Sequence, residues 1–288
     1  MRTIASWLVA RPQNAVMGLA VTLLLPAPQL TSGVIMVLLV LAQGTKLALV
    51  EGCIAAAVLL TVSLIFGVSI PSIVTLMAGT WVPVLLLAIM LLGSRSLTLA
   101  VQVAVIAAAV ALVGFYAVVA DPIAFWQPYM DTMAEVVRQN NLQLNLELLT
   151  AEVMTVSAVL AFWMLYTAGL LLGYAMYKSL PRETGDFGRF RDLNLGRVIA
   201  VMMALISLLA LAVNATWLQN LAFMLFVVFW IQGLSIVHWL HSQGTIPLAV
   251  LIAVYALLPF LQVLLMTALA VFGFTDAWFD FRRRMKKA

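Results

Sequence analysis

The sequence contains few charged residues. Only 9% of its 288 residues are Asp, Glu, Lys or Arg, whereas 65% are hydrophobic. A soluble domain is typically about 25% charged and about 45–50% apolar. Water cannot accommodate such an apolar surplus, since a folded chain of this size still exposes a large part of its surface. The composition therefore excludes a soluble protein and predicts an all-α fold, a polytopic transmembrane helix bundle.

Cysteine and histidine are also scarce. The one cysteine, Cys53, excludes an intrachain disulfide and a cysteine-based metal centre. The two histidines, His238 and His241, are three residues apart, which places them on neighbouring helical positions. No third ligand accompanies them, so we predict no metal site and no cofactor.

The motifs of the common enzyme classes are absent. The sequence has no H-E-x-x-H, no Walker loop, no G-x-S-x-G and no glycine-rich dinucleotide motif in context. We therefore expect that the chain is not an enzyme. The net charge of +4 is not accompanied by a nucleic-acid recognition motif, so we expect no nucleic-acid partner.

Long apolar runs dominate the sequence. A helix that crosses a bilayer needs about 20 apolar residues. The runs lie at 14–25, 31–43, 48–67, 71–92, 97–119, 151–177, 197–213, 218–240 and 246–274.

These runs predict about eight to ten membrane segments in one integral membrane domain spanning residues 1–288. The first two runs form either a tight hairpin or a broken helix around Pro26 and Pro28. The outline of residues 1–28 also resembles a signal peptide, but the apolar run that follows favours a retained helix. The last run is long for one pass and short for two. Because the two basic clusters require an even number of crossings between them, either this run is broken near Pro259 or the run 197–213 is re-entrant.

The basic residues are concentrated in two clusters. Five of the 15 lie in a basic inner loop, 178–197, and five lie in the last seven positions, within a basic amphipathic tail, 275–288. Because positive residues favour the cytoplasmic side, we predict that both termini are cytoplasmic and that the acidic segment 121–150 is an outer amphipathic loop. The lipid bilayer is therefore the expected partner. The predicted contacts to headgroups or to a partner protein are Arg189, Arg191, Arg282 and Arg283.

Polar groups inside the apolar runs are candidate ligand-binding residues, because each requires a partner in lipid. The candidates are Glu51, Gln102, Gln232 and Trp81. Glu51 is either a ligand or ion contact, or a carboxylate that reaches the interface. Gln232 hydrogen-bonds either a ligand or a neighbouring helix. Trp81 is either a ligand contact or part of an aromatic belt at the membrane interface.

Two segments resemble a known family. The stretch Phe229-Trp230-Ile231-Gln232-Gly233 resembles the "F-x-x-Q-G" helix of the YybS-like bacterial membrane proteins, whose function is uncharacterised. The ending Gly273-Phe274-Thr275-Asp276-Ala277-Trp278-Phe279-Asp280-Phe281-Arg282 resembles that family's "G-x-x-D-x-W-x-D-F-R" segment.

The amino-terminal part of that family is similar to the substrate-binding components of energy-coupling-factor vitamin transporters. The resemblance implies a transport-related small-molecule binding component, with a coupling subunit and an ATPase as partners. In those components, alanines four residues apart mediate docking, whereas the corresponding positions here are Ala10, Asn14 and Gly18. The alternative is a membrane scaffold or assembly factor that recruits partners through the basic inner loop and tail.

Overall fold

The computed structural model of the chain describes residues 1–140 and 150–285, and all regular structure in these ranges is helical. The helices are α1 (Arg2–Ala10), α2 (Pro12–Leu23), α3 (Pro28–Gln43), α4 (Thr45–Phe66), α5 (Ile70–Ser94), α6 (Leu97–Val118), α7 (Pro122–Gln139), α8 (Ala151–Lys178), α9 (Gly196–Val213), α10 (Thr216–Val227), α11 (Phe229–Ser242), α12 (Leu248–Leu257), α13 (Gln262–Phe279) and α14 (Phe281–Met285). A 3₁₀ turn at Phe190–Asp192 lies between α8 and α9.

Within the described ranges, seven segments are long and apolar enough to cross a membrane. They are α4, α5, α6, α8, α9, the continuous stretch Thr216–Ser242 formed by α10 and α11, and α13. The apolar helices α3 and α12 are shorter. The prediction of a polytopic helical membrane protein is confirmed, while the cytoplasmic placement of the termini stays a prediction.

Backbone chemistry explains where several helices end. Gly67 adopts a φ of +68° directly after α4, a conformation that a residue with a Cβ adopts only with strain. The apolar run 246–274 is broken between Leu257 and Gln262. Pro259 lies in this gap and lacks the backbone N–H that a continuing helix requires. The run is therefore two helices, α12 and α13.

Three predicted regions have clear counterparts. The basic inner loop 178–197 corresponds to the connection between α8 and α9. The outer segment contains the helix α7, which has no buried residue, while positions 141–149 lie outside the described residues. In the tail, α13 extends to Phe279 and α14 follows it, and residues 286–288 lie outside the described part.

The described residues form two compact units. The first unit comprises Met1–Ala104 and Phe162–Phe190, and the second comprises Val105–Ala161 and Arg191–Ala288. The boundaries fall inside α6 and α8. Compact units occur within one domain as well as in two, so the single membrane domain stays a prediction.

The first unit is built around α3, which is buried at every position from Ser32 to Leu41. Gly33 and Gly173 permit the close approach of neighbouring helices. A Cβ on Gly33 would lie 3.1 Å from a Val84 methyl on α5, and one on Gly173 would lie 2.5 Å from Val37 Cβ. The short helix α3 is therefore enclosed by protein along most of its length.

The connection after α8 is anchored within the first unit. The rings of Tyr174, Tyr177 and Phe187 stack, with centroids 5.8–6.4 Å apart. The Tyr177 hydroxyl accepts the Gly185 amide at 2.7 Å, and the Tyr174 hydroxyl accepts the Phe187 amide at 2.9 Å. This connection is therefore a packed part of the unit.

In the second unit, α11 and α13 cross at two glycines. A Cβ on Gly233 would lie 1.9 Å from the Leu269 carbonyl oxygen, and one on Gly273 would lie 2.2 Å from the Phe229 carbonyl oxygen. Side chains at these positions would keep the backbones apart. The crossing brings together the two segments that carry the YybS-like resemblance.

Candidate functional site

A buried ion pair lies beside the glycine crossing in the second unit. The Arg282 guanidinium donates to Asp276 Oδ2 from Nε at 3.0 Å and from Nη2 at 2.7 Å. Its Nη1 donates to the Arg191 carbonyl at 2.9 Å, and its Nη2 also donates to the Leu193 carbonyl at 2.8 Å. Arg282 therefore links the segment before α9 to the end of α13.

Gln232 completes this cluster. Its Nε2 donates to Asp276 Oδ2 at 3.0 Å, and its Oε1 accepts the Leu195 amide at 2.8 Å. Ser235, one turn later on α11, donates to the Leu193 carbonyl at 3.0 Å. The oxygen and the nitrogen of the Gln232 amide therefore both have protein partners. This arrangement matches the alternative in which Gln232 hydrogen-bonds a neighbouring helix.

The cluster is suited to holding backbone in place. The negative charge of Asp276 is matched by Arg282, and the guanidinium fixes two carbonyls. Asp276 Oδ1 is the exception, because it is buried without a hydrogen-bond partner. Removal of either partner from such a buried pair leaves an uncompensated charge, which is strongly destabilising.

In the first unit, Trp81 contributes to an interhelical chain of hydrogen bonds. Its indole Nε1 donates to Ser32 Oγ at 2.8 Å, and the Ser32 hydroxyl donates to the Leu19 carbonyl at 3.0 Å. Both side chains are buried. Trp81 thus joins α5 to α3, and Ser32 joins α3 to α2.

Glu51 lies on α4 in the same unit and is only 1% exposed. The Gln43 amide lies 3.0 and 3.2 Å from the two carboxyl oxygens and donates to them when its nitrogen faces Glu51. Glu51 is therefore a buried carboxyl group on a candidate membrane-spanning helix, held by an uncharged partner.

Three further polar atoms of the first unit are buried without hydrogen-bond partners. They are Thr80 Oγ1 on α5, and Trp163 Nε1 and Thr167 Oγ1 on α8. The two helices are in contact here, since the Tyr166 hydroxyl donates to the Gly79 carbonyl. Trp163 and Thr167 are four residues apart and so share a helix face. The three atoms therefore lie on two helices that contact each other, and each lacks a hydrogen-bond partner.

The other predicted residues are distributed over the chain. Gln102 lies on α6 and is partly buried, Arg189 and Arg283 are exposed, and Arg191 is partly buried. The structure thus brings Gln232 and Arg282 together, with Arg191 contributing its carbonyl oxygen. Glu51 and Trp81 lie in the first unit. The contacts of the four arginines with headgroups or a partner stay predictions.

Among the described residues, no group of three or more His, Cys, Asp or Glu side chains is placed to hold a metal ion. The ring Nε2 of His238 lies 2.8 Å from the Tyr255 hydroxyl, a hydrogen bond that does not need a metal.

Sequence analysis did not single out Asp276, Thr80, Trp163 or Thr167 as site residues. Asp276 had a signal, because it is an acidic residue inside a motif six positions before an arginine. The two threonines and Trp163 had none, since such residues are ordinary in membrane helices. Only the packing of α5 and α8 distinguishes them.

Comparison with known proteins places the chain in a family. No curated protein and no solved structure matches it. The profile of the family described as "Predicted membrane protein (DUF2232)" matches residues 126–277, just over half of the 288 residues. The matched range includes the glycine crossing, Gln232 and Asp276. The chain is therefore an integral membrane protein that belongs to the DUF2232 family of predicted membrane proteins.

Proposed function

We propose that this protein is a transport-related component that binds a small polar molecule in its first unit. The observation that carries the proposal is the group of unused hydrogen-bonding atoms on α5 and α8. Thr80, Trp163 and Thr167 are all buried, and none of their side-chain polar atoms has a partner. A ligand with hydrogen-bond acceptors would satisfy all three donors.

Unpaired polar groups are energetically unfavourable in apolar surroundings. An unsatisfied buried polar group is unfavourable by about 1–3 kcal/mol, and no water replaces the partner within a bilayer. A threonine hydroxyl has one alternative, since it can bond the carbonyl four residues earlier on its own helix. The indole N–H of Trp163 has no such local acceptor. The indole N–H groups of Trp230 and Trp239 in the second unit also lack partners, so what distinguishes Trp163 is the unpaired Thr167 hydroxyl on the same helix face.

The family resemblance supports the same class of function. A YybS-like protein related to the vitamin-binding components of energy-coupling-factor transporters would capture a small molecule and deliver it to a coupling subunit and an ATPase. In this proposal the chain itself is not an enzyme, and it resides in a bacterial cytoplasmic membrane. ATP hydrolysis belongs to a separate subunit.

Native mass spectrometry of the protein, gently extracted from its own membrane, tests the proposal. We expect a small molecule to remain bound to the wild-type chain. The variants Thr80→Val and Thr167→Val keep the side-chain shape and remove one donor each, so both should reduce the bound fraction at least several-fold.

Thr61→Val is the matched control. Thr61 is exposed on α4, and its hydroxyl already donates to the Ala57 carbonyl at 2.9 Å, so this variant should retain the molecule. A wild-type spectrum that contains only lipid adducts would contradict the proposal. Equal retention by all three threonine variants would contradict the assigned site.

A scaffold is the second candidate function, and the Arg282 contacts favour it. Because Arg282 binds the carbonyls of Arg191 and Leu193, the segment before α9 has a fixed conformation on which a partner could dock. Affinity purification followed by protein identification distinguishes the two functions. A partner that is lost on Arg191→Gln, with no bound small molecule, would support the scaffold.

A further inference from the structure

Among the described residues, two carboxyl groups are buried, and their surroundings are opposite. Asp276 is fully buried and forms an ion pair with Arg282 at 2.7 Å. Glu51 is 1% exposed and lies beside the uncharged Gln43 amide. Among the described residues, no lysine, arginine or histidine lies within salt-bridge distance of Glu51. One carboxyl group is therefore neutralised by the protein and the other is not.

The elements around Glu51 confirm the lack of a countercharge. Helices α2, α3 and α5 pack against α4, and none of the three contains Asp, Glu, Lys, Arg or His. The ionisable residues of α4 besides Glu51 are Lys46 and Cys53, both exposed.

Arginines occur only near the edges of this region. Arg11 and Arg95 flank α2 and α5 at their ends, and both are exposed. Arg182 is exposed and donates to the Ala42 carbonyl at 2.7 Å. None of these cations forms an ion pair with Glu51, so its charge has no partner within the described chain.

An isolated carboxylate in apolar surroundings is strongly disfavoured, and such a group becomes neutral by taking up a proton or a cation. Ionisable residues inside membrane helices accordingly mark proton relays and ion pathways. From this geometry we propose that Glu51 is a reversible proton-binding site within the membrane-spanning part of the first unit.

Gln43 fits both protonation states. Its amide nitrogen donates to the carboxylate, and after the amide turns over, its oxygen accepts the O–H of the carboxylic acid. The 3.0 and 3.2 Å separations place the amide within reach of both carboxyl oxygens. The pair can therefore take up and release a proton without leaving a buried donor or acceptor unpaired. This proposal does not depend on the small-molecule site.

Infrared spectroscopy of the full chain in lipid nanodiscs tests the proposal directly, through the C=O stretching band of a protonated carboxyl group. We expect the wild-type protein to show this band at neutral pH and to lose it in alkaline solution. Glu51→Gln should lack the band at neutral pH. Glu152→Gln should retain it, because Glu152 is exposed at the start of α8.

Gln43→Leu provides a second test should Glu51→Gln fold poorly. This variant leaves the carboxyl group in place and removes its hydrogen-bond partner, so the pH at which the band disappears should shift. Identical spectra for wild type and Glu51→Gln at every pH would overturn the proposal. A neutral-pH band that sodium chloride removes and choline chloride does not would also overturn it, in favour of a metal-cation site.

Discussion

Gly233 and Gly273 meet where α11 crosses α13, so closely that a Cβ on Gly273 would lie 2.8 Å from the Gly233 backbone nitrogen. This contact sets the spacing of the residues on either side. It leaves Gln232 within 3.0 Å of Asp276, and Asp276 within 2.7 Å of Arg282. The buried ion pair of the second unit depends on two residues that have no side chain.

A methyl group at the crossing should therefore disrupt the second unit. Gly273→Ala places a Cβ against the Phe229 carbonyl oxygen, and this backbone atom cannot move away as a flexible side chain would. We expect the free energy of unfolding to fall by about 1–3 kcal/mol, as at other overpacked sites. Unfolding in mixed SDS micelles measures it.

Gly114→Ala is the control for this substitution. A Cβ on Gly114, in the helix α6, meets no atom within 4 Å. Alanine is also the better helix former. The control should be at least as stable as the wild type, and equal destabilisation by both substitutions would refute a specific role for the crossing.

Removing one partner of the buried ion pair should leave the other charge uncompensated, so the two single substitutions should not be additive. Arg282→Gln leaves the Asp276 charge unpaired, and Asp276→Asn leaves the Arg282 charge unpaired. Either change should destabilise the protein by about 3–5 kcal/mol, and the double variant by less than the sum. Arg283→Gln, next to Arg282 but exposed, should change stability by less than about 0.5 kcal/mol.

The Trp81–Ser32 hydrogen bond can be measured with a double-mutant cycle. Trp81→Phe removes the indole donor, and Ser32→Ala removes the hydroxyl that accepts it at 2.8 Å. We expect a coupling of about 0.6–1.7 kcal/mol, the range found for hydrogen bonds between membrane helices. Zero coupling would indicate that the two side chains are not bonded in the membrane.

The connection after α8 should resist protease until its aromatic stack is opened. Arg182 and Arg189 are exposed, but the backbone around them is held by Tyr174 and Tyr177. Tyr177→Ala removes one ring of the stack and the acceptor of the Gly185 amide. Trypsin should then cleave after Arg182 or Arg189 several-fold faster, while cleavage after Arg284 stays unchanged and serves as the internal reference.

Cysteine labelling tests the predicted topology. Cys53→Ser gives a background in which Arg138→Cys and Arg284→Cys each add one thiol. A membrane-impermeant maleimide should label Arg138→Cys in intact cells, and Arg284→Cys only after permeabilisation. The reverse pattern would invert the topology, and labelling of both from outside would place an even number of crossings between them.

The helical membrane fold was predictable because a bilayer imposes it on any long apolar run. The break near Pro259 was one of two alternatives, and the structure selects it, since α12 ends at Leu257 and α13 begins at Gln262. The exact number of crossings was not predictable. Helix α3, with 16 residues, is shorter than a full span, and only its burial by neighbouring helices explains it.

The candidate sites were predictable only in part. Glu51 and Gln232 were identified because a charge or an amide in an apolar run requires a partner. The identity of that partner was not accessible, because Gln232 and Asp276 are 44 residues apart and Glu51 depends on Gln43 at the end of another helix. Thr80 and Thr167 differ from ordinary helix threonines only in what surrounds them.

Arg282 also imposes an order on biosynthesis. The Leu193 carbonyl that it binds lies 89 residues earlier in the chain. At a synthesis rate of about 5–20 residues per second, the ribosome needs roughly 4–18 seconds to make that intervening length. During this interval the segment before α9 exists without its arginine. The Leu193 carbonyl therefore acquires this arginine partner only after the end of α13 has been synthesised.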